Sequence, residues 1–444
     1  MARAATVARK PNARNIALDL LGEVLTRRRA LDEAIEREPK LLRLEARDRA
    51  FARLLVATTL RRLGQIDALV DGRLAKKLPA KAARVRDILR LGVAQLLFLH
   101  TPAHAAVGET VELASGAELA GFKGLVNALL RRLATDGEAA LAAQDAPRLD
   151  TPGWLWRGWC DTYGENVARA IAANHFAEPP LDLSVKHDAA LWAERLGAAL
   201  LPTGSLRLAH MSDVRALPGF SEGAWWVQDA AASLPVRLLG DVRGKRVVDL
   251  CAAPGGKTAQ LAAAGAQVVA VERSGPRLER VRDNLARLGL EATLVAADAE
   301  RWRPETPADA VLLDAPCTAT GTIRRHPDIA YLKSPADVTR MTATQAKLLA
   351  AAAEMVRPGG FLVYATCSLE RAEGEAQIER FLDSGAPFER LPIHARELAA
   401  EDAPAPLEAC RDLVSEKGDL RTLPSHWPEL GGLDGFFAAR LIRR

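Results

Sequence analysis

Residues Arg246–Thr258 read RVVDLCAAPGGKT. The apolar run Arg246–Leu250 has the character of a buried strand. It passes into a loop with one proline and two adjacent glycines, and Lys257–Ala264 then reads as a helix. Strand, tight loop and helix in that order open an α/β sheet. The alternation continues downstream. Gln267–Glu272, Ala292–Ala296, Ala310–Asp314 and Phe361–Ala365 are strand candidates, with helices at Pro276–Leu288, Val338–Val356 and Glu373–Leu382. The pattern predicts a doubly wound, mostly parallel sheet from residue 241 onward. Residues 387–433 are rich in proline and interrupted, which predicts a surface excursion, and Gly435–Ile442 reads as a final strand.

Two short motifs add chemistry to this frame. Asp314-Ala315-Pro316-Cys317 and Ala365-Thr366-Cys367-Ser368 each follow an apolar strand. Each places a thiol at the carboxyl end of a strand, where open α/β sheets bind ligands. The loop Cys251–Thr258 ends like a phosphate-binding P-loop, but Cys251 stands where that motif requires glycine, which argues against a nucleotide hydrolase. The loop still permits close backbone approach to a small ligand at a helix amino terminus. Glu272 and Asp298 end the next two strands. Glu272 lies sixteen residues beyond Gly256, near the spacing at which dinucleotide folds place a ribose-binding acid. Together these features point to thiol chemistry beside an adenosine-type ligand.

The rest of the chain bounds this reading. At 444 residues it has room for two to four domains. With 49% hydrophobic and 26% charged residues, it has the composition of an ordinary globular protein. Five scattered cysteines give neither a disulfide framework nor a C-x-x-C spacing, so a reduced, cytoplasmic compartment is expected. No apolar run reaches the length of a membrane span, and no histidine pair has helical metal spacing, so neither membrane nor metal is expected. Arg3, Arg9, Lys10 and Arg14 make the first eighteen residues basic without an acid, which reads as a basic terminus rather than a targeting segment.

Residues 1–140 hold 25 Lys+Arg against 16 Asp+Glu, a local charge of +9 that leaves −5 for the remainder. A basic region on a mildly acidic body suggests a polyanionic partner. This region reads as helical. Asn15–Leu25 and Phe51–Leu63 carry apolar residues at three-to-four spacing, and Ile88–Leu99 is apolar around most of its circumference, as in a central core helix. Thr101-Pro102 ends that helix, and Leu125–Leu133, with Arg131 and Arg132 in its last turn, closes the block. Residues 141–240, with Trp154, Trp156 and Trp159 near their start, read as a small α+β module. The division expected is therefore 1–140, 141–240 and 241–444.

The run Asp249–Thr258, the two cysteine motifs in their order, Trp226–Ser233 and Asp434–Leu441 together resemble the Sun/Nop2 family of RNA (cytosine-5) methyltransferases over about residues 145–444. Gly321–Ile329 is similar to the family's bacterial small-subunit (16S) rRNA branch. Residues 14–135, best in Ile88–Leu97 and Pro102–Val107, resemble the helical NusB fold. The resemblance implies a multidomain protein: an all-α NusB-like domain that binds RNA, the α+β module, and a Rossmann-like methyltransferase domain.

It also implies residue roles. Cys367 would be the attacking nucleophile, Cys317 would assist release, and Asp314 would contact the pyrimidine ring. S-adenosylmethionine would be held by Cys251, Ala252, Ala253, Pro254, Gly255, Gly256 and Lys257, with Glu272 on the ribose, Asp298 on the adenine, and Arg277 and Asp314 nearby. Glu272 departs from the aspartate of many relatives. Arg324, Arg325 and His326 form a basic cluster read as phosphate contacts. Small-subunit rRNA is the expected partner, with no obligate protein partner. The same chemistry on tRNA or another RNA, or a non-catalytic RNA-binding assembly factor, remain as alternatives.

Overall fold

The computed structural model describes residues 12–444 apart from 77, 80–81, 117, 210–212, 401–402 and 404–405. Arg3, Arg9 and Lys10 of the basic terminus lie outside the described residues. The chain divides into two compact units. One comprises Met1–Cys160, Ala168–Phe176 and His326–Lys333, and the other Asp161–Val167, Ala177–Arg325 and Ser334–Arg444.

The first unit is helical. Its main elements are α1 (Ala13–Leu25), α2 (Leu31–Glu36), α3 (Ala46–Arg61), α4 (Leu63–Asp71), α5 (Ala83–Val93), α6 (Ala103–Leu113) and α7 (Lys123–Ala142). Asn12 caps α1, its side chain accepting from the Arg14 N–H at 2.8 Å, a contact worth about 1 kcal/mol. The face Ile16, Leu20, Leu21, Val24 follows helical spacing and is buried with Val85, Ile88 and Leu89 of α5. As expected, α5 is the central helix. It runs on into a wider π-helical turn, Ala94–Phe98, before Pro102. The helix expected over Leu125–Leu133 is longer: α7 spans Lys123–Ala142, so Arg131 and Arg132 lie mid-helix and not in its last turn.

The segment His326–Lys333 packs within this unit. Asp328 Oδ2 accepts from the Leu31 N–H at 3.0 Å, His326 Nδ1 lies 3.2 Å from Asp32 Oδ2, and Tyr331 and Leu332 press on the helical core.

Among the described residues the second unit holds two sheets. β1 (Leu181–Val185), β2 (Ala199–Leu200), β3 (Leu206–Leu208) and β4 (Trp225–Val227) form an antiparallel sheet in the order β2-β3-β1-β4. The larger sheet contains β5 (Arg246–Leu250), β6 (Gln267–Glu272), β7 (Thr293–Ala296), β8 (Ala308–Asp314), β9 (Val356–Thr366), β10 (Phe388–Arg390), β11 (Leu420–Thr422) and β12 (Phe436–Arg443). Its order is β10-β12-β9-β8-β5-β6-β7, with β11 also paired to β12. The five strands β5–β9 are mutually parallel, and β12 runs antiparallel to β9. This is the doubly wound sheet anticipated. Val247, Leu312 and Val363 are buried on one face, and Val248, Val311, Leu313 and Leu362 on the other, as the two-residue period of a strand demands.

The small sheet falls in the same compact unit as the large one. One expectation is corrected here. Residues 387–433 are not a surface excursion: Ile393, Leu398, Cys410, Leu413, Leu420 and Trp427 are buried in the large-sheet core. Their side chains are apolar without regular spacing, and the described parts of the segment are short pieces, of which β10 and β11 pair with β12.

Asp150 provides a test of the helical unit. Its Oδ1 accepts from the Gln65 N–H at 2.8 Å in the first turn of α4, while Oδ2 is buried without a hydrogen-bond partner among the described residues. Burial, only partly offset by the Gln65 and Gly64 N–H groups and by Arg62, pushes its carboxyl up to about 7. The raised value means the folded state prefers the protonated acid. Stability is therefore lost as pH rises from the unfolded-state value toward 7 and changes little above it. Asp150→Asn mimics the protonated acid. It should melt close to the parent protein near pH 4.5 and at higher temperature than the parent at pH 8, as read by thermal denaturation at the two pH values.

Candidate active site

The site begins with the pairing of β8 and β9. In their parallel register Asp314 lies opposite Ala365, and the Ala315 N–H donates to the Ala365 carbonyl at 2.8 Å. The two cysteine motifs therefore leave adjacent strands side by side. Cys317 Sγ and Cys367 Sγ are 3.4 Å apart, and both residues are partly accessible. The Cys317 loop is tied down from two sides. The Gly321 N–H donates to the Cys367 carbonyl at 3.0 Å, and the Gly435 N–H donates to the Gly321 carbonyl at 2.8 Å. A Cβ on Gly321 would lie 2.0 Å from the Gly435 carbonyl oxygen, so only glycine permits this approach. The hydrogen bond to Cys367, reinforced by burial and the Glu373 carboxylate, holds the Cys317 thiol well above its ordinary value.

The glycine loop lies beside the thiols. Gly255 adopts φ +101° and begins the helix Gly256–Ala263, with its Cα facing Val281, whose Cγ1 would be 3.1 Å from an added Cβ. Lys257, in the first turn of that helix, donates from Nζ to Asp314 Oδ2 at 2.7 Å and stands 5.1 Å from the Phe436 ring centre. Burial opposes the charge on Lys257, but Asp314, Cys367 and Asp249 outweigh it and raise its pKa. Asp249, wholly buried at the end of β5, accepts from Thr258 Oγ1 at 2.6 Å while its Oδ1 has no hydrogen-bond partner among the described residues. Burial, with Asp314 adding to it, lifts its carboxyl to about 7. Cys251 is pushed up to about 12, first by burial and then by Asp314 and Glu272. A thiol this basic is no nucleophile at neutral pH.

Glu272 and Asp298 follow along the same sheet edge. Glu272 Oε1 accepts from the Ser274 N–H at 2.9 Å. Its buried Oε2 lies 3.2 Å from Arg277 Nη1 but lacks hydrogen-bond geometry, which leaves acceptor capacity for a ligand hydroxyl. Arg277 also donates to the Ala253 carbonyl at 2.9 Å, so it braces the glycine loop against Glu272. Asp298 is exposed and accepts the Glu300 N–H at 3.0 Å through one oxygen. The donor set thus fits an adenosyl ligand: unmet carboxylate oxygens at successive strand ends, beside a helix amino terminus. A separate cavity of about 1230 Å³ opens at the amino ends of β5–β7, lined among others by Arg246, Gln267 and Thr293, and shares none of these residues.

The basic cluster is placed differently from expectation. Arg324 is 1% exposed, its Nε 2.6 Å from Asp434 Oδ1 and its Nη2 3.2 Å from Asp229 Oδ2. Arg325 pairs with the same two aspartates at 3.1 and 2.6 Å and donates to the Pro180 carbonyl at 3.0 Å. Asp182, paired to Arg207 at 2.7 Å, completes the network. The guanidinium of Arg324 therefore faces carboxylates inside the protein, not phosphate in solvent, and Arg325 is largely occupied in the same way. His326 lies in the helical unit beside Asp32. Ser368, quoted above only as the end of a cysteine motif, and Thr318, Gln345 and Glu373, to which the sequence assigns no role, also surround the two cysteines. The one sign of them was a hydroxyl residue directly after each cysteine.

Arg324→Ala should lower the melting temperature sharply, by the equivalent of about 3–5 kcal/mol, because it strands buried carboxylates. A phosphate-contact role would instead weaken RNA binding with the melting temperature unchanged, so paired melting and RNA-binding measurements separate the two.

Among the described residues no helix is long and apolar enough to cross a membrane, and no group of three or more His, Cys, Asp or Glu could hold a metal ion.

Comparison with known proteins bears on this geometry. Residues 236–442 match the family model for 16S rRNA methyltransferase RsmB/F, and residues 11–135 match the NusB family. The chain is 38% identical over 453 residues to ribosomal RNA small subunit methyltransferase B of Pseudomonas syringae pv. tomato, covering 97% of each protein. It is 36% identical over 452 residues to the protein of that name from Klebsiella pneumoniae, covering 98% of this chain and 99% of that one. The solved structure of PH0851 shares the fold, with a TM-score of 0.72 at 22% identity over 98% of this chain and 99% of that chain. With a NusB helical unit, a methyltransferase sheet and relatives matched along nearly its whole length, this chain belongs to the ribosomal RNA small subunit methyltransferase B family and is a methyltransferase.

Proposed function

We propose that this methyltransferase acts on carbon 5 of a cytosine in small-subunit (16S) rRNA, through a transient bond between Cys367 and carbon 6 of the base. The observation that carries the reading is the 3.4 Å separation of two thiols at adjacent strand ends, beside the glycine loop. Carbon 5 of cytosine is a poor nucleophile. Addition of the Cys367 thiolate at carbon 6 turns the ring into an enamine that is nucleophilic at carbon 5. S-adenosylmethionine, held by the backbone of Cys251–Lys257 with Glu272, Asp298 and Arg277, would supply the methyl group on a sulfonium.

Asp314, kept in place by Lys257, would meet the pyrimidine at nitrogen 3 and favour its protonated form during attack. After methylation, a base, for which solvent water suffices in this scheme, takes the proton from carbon 5. The freed electron pair re-forms the carbon 5–carbon 6 double bond, and the carbon 6–sulfur pair leaves with Cys367 as a thiolate, returning the ring to aromaticity. Cys317 suits this last step. Its raised pKa keeps it a thiol, and at 3.4 Å it can donate S–H to the departing sulfur of Cys367. The target base must leave its stack to reach Cys367, which favours an accessible loop over a closed RNA helix. The basic helical unit and the naming of the relatives favour rRNA over tRNA as substrate.

The test is methyl transfer from labelled S-adenosylmethionine to small-subunit rRNA lacking 5-methylcytosine, with the product base mapped. Cys367→Ala should abolish transfer. Cys317→Ala should accumulate a denaturant-resistant protein–RNA adduct, seen as a retarded band on denaturing gels. Full turnover by the first variant, or no adduct in the second, contradicts the assignment. Binding of rRNA without transfer by the parent protein would favour the assembly-factor alternative.

A further inference from the structure

Glu373 is wholly buried, yet it lies outside the strand-end motifs. Removing a carboxylate from water is costly unless its oxygens are hydrogen-bonded. Here they are bonded to the two loops that carry the thiols. Oε1 accepts from the Thr318 N–H at 3.0 Å and from Gln345 Nε2 at 3.0 Å. Oε2 accepts from Ser368 Oγ at 2.6 Å and from Thr318 Oγ1. Thr318 directly follows Cys317, and Ser368 directly follows Cys367. Gln345 also donates to the Pro316 carbonyl at 2.9 Å, on the other side of Cys317. The backbone of Glu373 is fixed in turn, since its carbonyl accepts from Tyr364 Oη, on β9, at 2.7 Å.

We propose that Glu373 is a positioning residue for the two-thiol site: by bridging Thr318 and Ser368 it fixes the spacing of Cys317 and Cys367 and so links base attack to product release. The inference rests on the proposed function for its catalytic consequence, but not for the spacing itself. Glu373 touches neither sulfur through a hydrogen bond and acts only through its neighbours. Its negative charge also favours the protonated form of Cys317, the form that release requires.

The experiment compares the full-length protein with Glu373→Ala, which removes every side-chain link, and Glu373→Gln, which keeps the shape and can still pair with both hydroxyls. Thr318→Val, which removes one hydroxyl only, serves if the alanine variant does not fold. Three readouts are taken: the rate at which diamide, by accepting two hydrogens, joins Cys317 to Cys367; S-adenosylhomocysteine binding by calorimetry; and kcat and KM for methyl transfer. Glu373→Ala should slow cross-linking and lower kcat by more than about 10-fold each, with S-adenosylhomocysteine affinity within about 2-fold of the parent. Glu373→Gln should restore the cross-linking rate to within about 3-fold. Thr318→Val should shift cross-linking and kcat the same way by a smaller factor. Cross-linking at the parent rate in the alanine or valine variant overturns the proposal. So does a parallel loss of ligand binding and transfer, which marks a general folding role. A parent protein that cross-links normally but transfers no methyl group sinks the proposed function and leaves the spacing role standing.

Discussion

The parallel pairing of β8 with β9 is the contact on which the site depends. Two parallel strands end at the same edge of a sheet, and their loops leave in the same direction. With Asp314 opposite Ala365, Cys317 and Cys367 leave the sheet within hydrogen-bonding range of each other, although fifty residues of chain separate them. A one-residue slip in this register would turn the side chains of one strand to its opposite face and separate the sulfurs. The register is secured by burial. Val311, Leu312, Leu313, Leu362 and Val363 are wholly enclosed, so a slip would trade apolar contacts on both faces for mismatches.

Around that pairing, charge is handled in two ways. Along the strand ends that carry Asp249, Glu272 and Asp298, acids are left with unmet capacity. Asp249 and Glu272 each keep a buried oxygen without a hydrogen bond, and Asp298 faces solvent. Behind the site, acids are saturated. Asp182, Asp229 and Asp434 are met by Arg207, Arg324 and Arg325, and Glu373 by the two thiol loops. A saturated buried network adds little net stability over apolar packing, but it penalises any arrangement that leaves one member alone. It fixes where the loop after Cys317 runs, from the small sheet on one side to the turn before β12 on the other.

Much of this was legible in the chain. The strand-end positions of Cys251, Glu272, Asp298, Asp314 and Cys367 follow from apolar runs of strand length, and the structure has those strands within a few residues of the expected ends. What stayed hidden depends on distant partners. Arg324 and Arg325 read as a solvent-facing basic pair because their carboxylates lie 95 to 110 residues away in sequence. Glu373 read as the first residue of a helix, since nothing local distinguishes a carboxylate that meets water from one that meets Thr318 and Ser368. The 387–433 segment read as surface because its buried residues, such as Leu398 and Trp427, repeat with neither the strand nor the helix period. Periodicity reports regular elements, and irregular packing leaves no such trace.

The contact between Gly321 and Gly435 has a consequence for how such sequences can diverge. With the backbones already in contact, there is no room at position 321 for even the smallest side chain. Sequence drift that is harmless at most loop positions is closed off here in a pairwise fashion. An alanine arriving at 321 would displace the start of the last strand, and relief would have to come from that strand's own backbone. Two stretches of the chain more than a hundred residues apart are thereby held to one fixed separation, through a contact made without side chains.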